Sequence, residues 1–407
     1  MRQAKLTHTS GSLEGEIQIT GSKSESNRML LLQALFPEIE LHNVSNSDDT
    51  QAMTAGLSSA SALVDIGHAG TTMRFLTAYF STQEKQQKTL TGSSRMQERP
   101  IGVLVDALRQ LGADISYVKN EGYPPLQIKG NALTKSEVRI SANISSQYIT
   151  ALMLIAPSLP EGLTLTLEGK TTSVPYIEMT CSLLRKIGVR AVFSGQQIQV
   201  FPQQNIAKTT HHVESDWSSA SYYFSVAALA QKAKINLSTY KSDSLQGDSI
   251  LMEVYQQLGV HSSIEENTLS LQGGGSVTPS LRLDLSDAPD TAQTIAVTCF
   301  GLGIACDLTG LHTLKIKETD RLVALQNELT KLGASIEITE KSLHLHKRKS
   351  NIVPNVAIDT YHDHRMAMAF APLALLVPIV INDADVVSKS YPGFWDDLEE
   401  IGFLIGS

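Results

Sequence analysis

Apolar residues along the 407-residue chain follow two helical patterns that alternate. The first is rich in Ala, Ser, Thr and bulky apolar residues, with polar groups at its start. It begins near Ser24, Gly70, Ser146, Ser218, Asp290 and Asp363, at spacings of 46, 76, 72, 72 and 73 residues. The second is amphipathic and ends on a glycine, as in Leu329-Thr330-Lys331-Leu332-Gly333. Its glycines, Gly112, Gly188, Gly259, Gly333 and Gly402, are 76, 71, 74 and 69 residues apart and read as C-terminal helix stops. After each of the four internal glycines a hairpin is expected, for example Ala334 to Thr339, a turn at Glu340-Lys341, then Ser342 to His346. The predicted unit is strand, helix, strand, helix, strand, strand, repeated six times at about 72 residues. The first copy runs from Asp48-Asp49 almost directly into Asp65-Ile66-Gly67, so the roughly 25 residues of a closing hairpin are missing.

Three units per half predict an α/β (α+β) fold of two similar domains. Crossovers near Thr20 and Val213 to Asp216 give a discontinuous domain of residues 1–19 and 214–407 around an inserted domain of residues 20–213. Met1 to Gly21 reads as a strand pair around Ser10-Gly11, without a hydrophobic export signal. The longest apolar run, Met366 to Ile381, contains Pro372 and Pro378 and reads as a buried helix followed by a strand rather than a membrane span.

Composition narrows the function. The chain is 42% hydrophobic and 18% charged, with 33 Lys plus Arg against 41 Asp plus Glu and a net charge of −8. That balance argues against nucleic acid or a membrane surface as partner and leaves small anions as targets of local cation clusters. Cys181, Cys299 and Cys306 have neither disulfide nor zinc spacing, and a cytoplasmic location is expected.

The stretch Gly21-Ser22-Lys23-Ser24-Glu25-Ser26-Asn27-Arg28 leads into the apolar segment Met29 to Phe36. Ser24 or Ser26 is expected to cap a helix whose free N–H groups, with Lys23 and Arg28, would suit a phosphate or carboxylate. An ordinary capped helix with solvated cations would look the same from this stretch alone.

Several long motifs, in order, change that balance: Gly21-Ser22-Lys23-Ser24 with Arg28; Ala69-Gly70-Thr71-Thr72-Met73-Arg74; Leu90-Thr91-Gly92 with Arg95-Met96 and Arg99-Pro100; Ser145-Ser146-Gln147; Asp216 with Ser218-Ser219-Ala220-Ser221; Lys317-Glu318-Thr319-Asp320-Arg321; and Asp363-His364-Arg365-Met366-Ala367. With them the chain resembles, over nearly its whole length, the 5-enolpyruvylshikimate-3-phosphate synthase (3-phosphoshikimate 1-carboxyvinyltransferase) family. The resemblance implies an active site in the cleft between two domains of three units each. It also implies transfer of the enolpyruvyl group of phosphoenolpyruvate to the 5-hydroxyl of shikimate-3-phosphate, with release of phosphate and no cofactor or metal.

Carried over motif by motif, the resemblance gives shikimate-3-phosphate to Lys23, Ser24, Arg28, Ser145, Ser146, Gln147, Ser173, Asp290, Thr313 and Lys317. It gives phosphoenolpyruvate to Lys23, Gly70, Arg95, Gln147, Arg321, Arg365 and Lys389. Asp290 is the implied base and Glu318 the implied acid, with Lys23 sharing in proton transfer. Arginine forks suit the oxyanions of both substrates. Because the implied ligands come from both halves, shikimate-3-phosphate is expected to draw an open cleft closed, and a monomer is expected.

His68 and Phe75 stand where the family usually has Asn and Pro, and Thr313 stands where a phosphoshikimate-binding Asn is common. Two rivals share the fold: the UDP-N-acetylglucosamine enolpyruvyl transferase, whose mobile loop commonly carries a cysteine absent from Gly92 to Pro100 here, and a noncatalytic anion-binding protein. The H-x-H pairs His344/His346 and His362/His364 lack an accompanying carboxylate or cysteine set for a metal, and Gly273-Gly274-Gly275 lacks the Lys-Ser/Thr of a P-loop.

Overall fold

The structure is a computed structural model that describes residues 2–9, 11–141, 145–169, 171 and 174–406. The chain divides into two compact units, one of Gly21–Val213 and one of Met1–Thr20 with Glu214–Ser407.

Within Gly21–Val213 the repeat is visible in strand order. Leu63–Asp65 lies parallel to Gln87–Thr91, which pairs antiparallel with Leu126–Lys129, and that strand carries Asp114–Tyr117 at the edge. The next sheet repeats this order with Glu137–Ser141, Leu163–Glu168, Gln197–Val200 and Ala191–Ser194. A third sheet has only Ile39–His42 and Thr209–His212, in parallel. It lacks a closing hairpin because the helix Asp48–Ser58 leads directly to Leu63–Asp65 of the neighbouring sheet.

The unit containing Glu214–Ser407 has three sheets of the four-stranded pattern. Two of them borrow a strand from the N-terminus: Ser12–Ile17 lies parallel to Lys232–Ser238, and Ala4–His8 sits between Ile379–Ile381 and Phe403–Gly406. The expected N-terminal strand pair is therefore corrected. Both strands form, but they join different sheets, because each supplies an alternating apolar face that another sheet lacks: Ala4 and Leu6 for one, Leu13 and Ile17 for the other.

The five glycine stops all have positive φ, between 85° and 105°. At the four internal ones the following amide reaches back five residues to a helix carbonyl, as from Ala113 N to Leu108 O and from Ala334 N to Leu329 O, both at 3.0 Å. This left-handed closure turns each helix into its hairpin.

In each unit the helices of the first kind pack on one another. They are Lys23–Leu35, Gly70–Thr82 and Ser146–Ile155 in one, and Trp217–Leu229, Ala292–Leu302 and His364–Phe370 in the other. Their small hydroxyl residues allow close approach and satisfy themselves locally. Thr77 Oγ1 donates to Met73 O at 2.7 Å, and Thr298 Oγ1 reaches Ser225 Oγ at 2.7 Å across to the next helix.

The first of these helices begins at Lys23, with Ser22 as its cap: Ser22 Oγ accepts from Glu25 N at 3.4 Å. The expected cap at Ser24 or Ser26 lies inside the helix instead. Ser26 Oγ is committed to Ser45 N at 2.9 Å, and Ser24 sits in the first turn. Gly21, just before the cap, is required by space: a Cβ there would lie 1.8 Å from Asn43 O and 2.8 Å from Val213 Cγ1. Asn43 is itself pinned, its Nδ2 donating to Val213 O at 2.9 Å. We expect Gly21→Ala to destabilise the protein by about 2 kcal/mol or more, since backbone rather than a flexible side chain must yield. Gly406→Ala, with nothing within 4 Å, is the control, and thermal denaturation of both checks it.

Candidate active site

In the unit containing Glu214–Ser407, six of the sequence-predicted residues converge. Asp290 lies in the single turn Pro289–Thr291, and Lys317 and Glu318 follow the turn His312–Ile316. Arg321 and Arg365 occupy the first turns of the helices Arg321–Lys331 and His364–Phe370, and Lys389 closes the turn Ala384–Lys389.

Arg321 is the centre, with its side chain 2% exposed. Its Nη1 donates to Asp290 Oδ1 at 2.8 Å, its Nη2 to Glu318 Oε2 at 2.9 Å, and its Nε to Asp363 Oδ2 at 2.6 Å. Lys389 Nζ donates to the other Glu318 oxygen at 2.9 Å. Asp290 also has Lys317 Nζ at 3.3 Å and Arg365 Nη2 at 3.4 Å, while Arg365 Nη1 donates to its backbone carbonyl at 3.1 Å. Neither Asp290 nor Glu318 caps a helix. Asp320 caps the helix Arg321–Lys331 and Asp363 the helix His364–Phe370, while the helix Ala292–Leu302 after Asp290 has no side-chain cap.

The electrostatics follow from burial set against pairing. Burial alone would raise the Asp290 carboxyl, but Lys317, Arg365 and Arg321 together outweigh it and hold the group far below the ordinary carboxylate range. Burial draws the Lys317 ammonium below its usual value, against the pull of Asp290. Arg321 and Arg365 are held above the usual guanidinium value: burial opposes this, and the carboxylates around them outweigh it. The result is a largely buried constellation of four cations and three carboxylates, Asp290, Glu318 and Asp363, whose cations carry donors suited to oxyanions.

Within Gly21–Val213 a second set gathers at three helix starts. Arg28, 2% exposed, donates from Nε to Thr180 Oγ1 at 3.0 Å, from Nη1 to Ser24 O at 2.7 Å and from Nη2 to Thr150 Oγ1 at 3.4 Å. The rings of Phe75 and Tyr176 lie 5.8 Å from its guanidinium carbon. Burial draws its pKa down to about 10, with Tyr176 and Glu25 opposing, so it remains a cation at neutral pH. Lys23 Nζ lies 3.3 Å from Asp49 Oδ2. Ser145 caps the helix Ser146–Ile155, and Gln147 Nε2 donates to Thr71 Oγ1 at 3.1 Å, joining two helix starts. Gly70 opens its helix beneath two guanidinia: a Cβ there would meet Arg99 Nη1 at 2.6 Å and Arg74 Nη1 at 2.9 Å. A side chain at Gly70 would therefore displace charge from that helix N-terminus.

Two expected residues make none of these contacts, and a third is not described. Arg95 is 51% exposed and pairs with Glu98 at 3.1 Å. Thr313 Oγ1 is buried without a hydrogen-bond partner among the described residues and joins no ion pair. Ser173 lies outside the described residues.

Asp363, Arg74 and Arg99 lie in the quoted motifs but are not among the site residues the resemblance implies, and Asp49 enters only through its pairing with Lys23. Adjacency to Arg365 was the available signal for Asp363. For Thr150 and Thr180 there was none, since an interior helix threonine is ordinary. The histidine pairs have local carboxylate partners: His344 with Asp307 at 2.8 Å, His346 with Glu337 at 3.1 Å and His362 with Asp383 at 3.1 Å. Among the described residues no group of three or more His, Cys, Asp or Glu is arranged to hold a metal, and no helix is long and apolar enough to cross a membrane.

The family model described as EPSP synthase (3-phosphoshikimate 1-carboxyvinyltransferase) matches residues 7–62 and 55–398. The chain is 46% identical to a 3-phosphoshikimate 1-carboxyvinyltransferase of Bacteroides fragilis, covering 97% of this chain and 96% of that one. It is 35% identical to one from Haemophilus influenzae, with 96% of each covered. The solved structure of EPSP synthase from Acinetobacter baumannii superposes with a TM-score of 0.81 over 100% of both chains at 21% identity, which speaks to the fold. The chain belongs to the EPSP synthase (3-phosphoshikimate 1-carboxyvinyltransferase) family.

Proposed function

We propose that the protein transfers the enolpyruvyl group of phosphoenolpyruvate to the 5-hydroxyl of shikimate-3-phosphate and releases phosphate, acting as a monomer in the cytoplasm. The observation that carries the reading is the Arg321 cluster, which holds an acid–base pair and three further cations within hydrogen-bonding reach of one guanidinium and its partners. A noncatalytic anion-binding protein would need the cations but has no use for two carboxylates that compete with its ligand.

The residues take the following parts. Arg321, Arg365 and Lys389, with Lys23, Gly70, Arg95 and Gln147, hold phosphoenolpyruvate. Lys23, Ser24, Arg28, Ser145, Ser146, Gln147, Ser173, Thr313, Asp290 and Lys317 hold shikimate-3-phosphate.

Asp290 is the base for the attacking hydroxyl and Glu318 the acid that protonates the vinyl carbon, with Lys23 sharing in proton transfer. Before substrate binds, three cations suppress the basicity of Asp290. Phosphate and carboxylate oxygens arriving at Lys317, Arg365 and Arg321 neutralise that field, so Asp290 becomes a stronger base only when both reactants are present. Glu318 loses its two cations in the same exchange, as Arg321 and Lys389 turn to the phosphoenolpyruvate oxyanions, and without them its carboxylate takes up from solvent the proton that it passes to the vinyl carbon. The internal carboxylates thus serve as stand-in counterions until the substrates replace them.

We expect phosphate release from phosphoenolpyruvate only when shikimate-3-phosphate is the acceptor, at a rate unchanged by EDTA. Release with UDP-N-acetylglucosamine would overturn the reading. Asp290→Asn and Glu318→Gln should each lower turnover by about two orders of magnitude or more. Both should keep shikimate-3-phosphate binding in calorimetry, because each removes a competitor for the cations. The depressed pKa also fixes a pH signature. Asp290 stays ionised in the free protein at every pH from 5.5 to 8.5, so the wild-type to Asp290→Asn ratio of kcat/KM should be constant over that range. A ratio that falls toward acid pH would place its titration there instead.

A further inference from the structure

Arg365 is held by more than Asp290. Its Nη2 also donates to Ser218 Oγ at 3.1 Å, and the Ser218 hydroxyl is hydrogen-bonded to Asp248 Oδ2. Ser218 is the second residue of the helix Trp217–Leu229, whereas Asp248 lies 30 residues on, in the turn Gly247–Ile250.

The segment leading to Asp248 is fastened to that helix start. Glu214 Oε1 accepts from Trp217 Nε1 at 2.8 Å and from Lys241 N at 3.0 Å, and Glu214 Oε2 accepts from Ser244 Oγ at 2.8 Å. Gln246 accepts from Trp217 N at 3.0 Å and donates to Ser215 O at 2.8 Å. Asp248, 4% exposed, is the last of these attachments, and its second carboxylate oxygen has no hydrogen-bond partner among the described residues. A buried carboxylate with only one hydroxyl on it gains little for its desolvation. Its position is explained by what the hydroxyl does next.

The geometry points to Asp248 as a positioning residue for Arg365, acting through the Ser218 hydroxyl. This rests on the phosphoenolpyruvate role assigned to Arg365 above. Burial pushes the Asp248 carboxyl up to about 6, with Arg365 opposing and Asp290 and Asp216 adding to the rise. At neutral pH it is therefore mostly ionised, and an ionised carboxylate only accepts. Ser218 must then spend its single proton on Asp248, which leaves its lone pairs to the guanidinium. Without Asp248 the hydroxyl rotor is free to turn its proton toward the cation and lose that bond. The anchor matters most during the reaction. Once the Asp290 carboxylate engages a substrate hydroxyl, Ser218 Oγ and the Asp290 backbone carbonyl are the described contacts that still orient Arg365.

The test is steady-state kinetics at pH 7.5 with saturating shikimate-3-phosphate and varied phosphoenolpyruvate, with thermal melts run on each protein. Asp248→Ala and Ser218→Ala should each raise the KM for phosphoenolpyruvate about five- to tenfold, with kcat changed less than about threefold, as expected for a lost binding orientation. The double variant should be no worse than the poorer single one, because both substitutions break one chain of contacts. Asp248→Asn, whose amide oxygen still accepts, should return KM to within about twofold of wild type. Asp248→Leu, of similar size but without an acceptor, replaces the alanine variant if that one does not fold. A wild-type KM in Asp248→Ala or Asp248→Leu, additive losses, or no rescue by asparagine would overturn the positioning role while leaving the proposed function intact. A wild-type protein that releases no phosphate with shikimate-3-phosphate would overturn the function itself.

Discussion

One buried guanidinium organises the charged cluster in the unit containing Glu214–Ser407. Arg321 uses three of its nitrogens on three different carboxylates, Asp363, Asp290 and Glu318, which belong to three separate segments of chain. A charge this deep is tolerable only when its donors are met, and the planar fork sets where each carboxylate must stand. Asp363 is the structural leg: it is completely buried, accepts from Nε, and caps the helix that presents Arg365. Asp290 and Glu318 are the outer legs, each shared with a second cation. The one guanidinium thereby fixes the spacing of the two carboxylates proposed as base and acid.

The same economy explains the unusual central helices. They begin with polar groups and continue with small hydroxyl residues, which let the body of each pack closely against two similar helices. Thr150 illustrates the compromise, being an interior residue of the helix Ser146–Ile155 whose hydroxyl also accepts from Arg28. Gly70 and Gly21 are fixed by close approach, of guanidinia in one case and of a backbone carbonyl in the other.

The repeat was legible in the sequence because its signals are local. A left-handed glycine ends a helix whatever surrounds it, and alternating residues after it form a hairpin, so Gly112, Gly188, Gly259 and Gly333 each marked a strand pair at the right place. The shortened first unit could be read from the distance between Asp49 and Asp65, and the structure has a two-stranded sheet there. Motifs gathered Lys317, Glu318, Arg321 and Arg365 as candidates, since neighbours along one turn stay neighbours in space.

Tertiary structure decided what local signals could not. The two N-terminal strands look like a hairpin, yet their partners lie hundreds of residues away, and only the unpaired edges of those distant sheets select them. Ser22 rather than Ser24 or Ser26 caps the first helix, because Ser26 is claimed by Ser45 from another segment. Asp49, Asp248 and Asp363 acquire their meaning from cations or hydroxyls brought to them by folding. The sequence by itself determined the elements, their repetition and the chemistry on offer, all matters of backbone preference and spacing. The partner of each charge was left to the fold, because pairing in a dry interior depends on distances of a few ångströms between segments that the chain order does not relate.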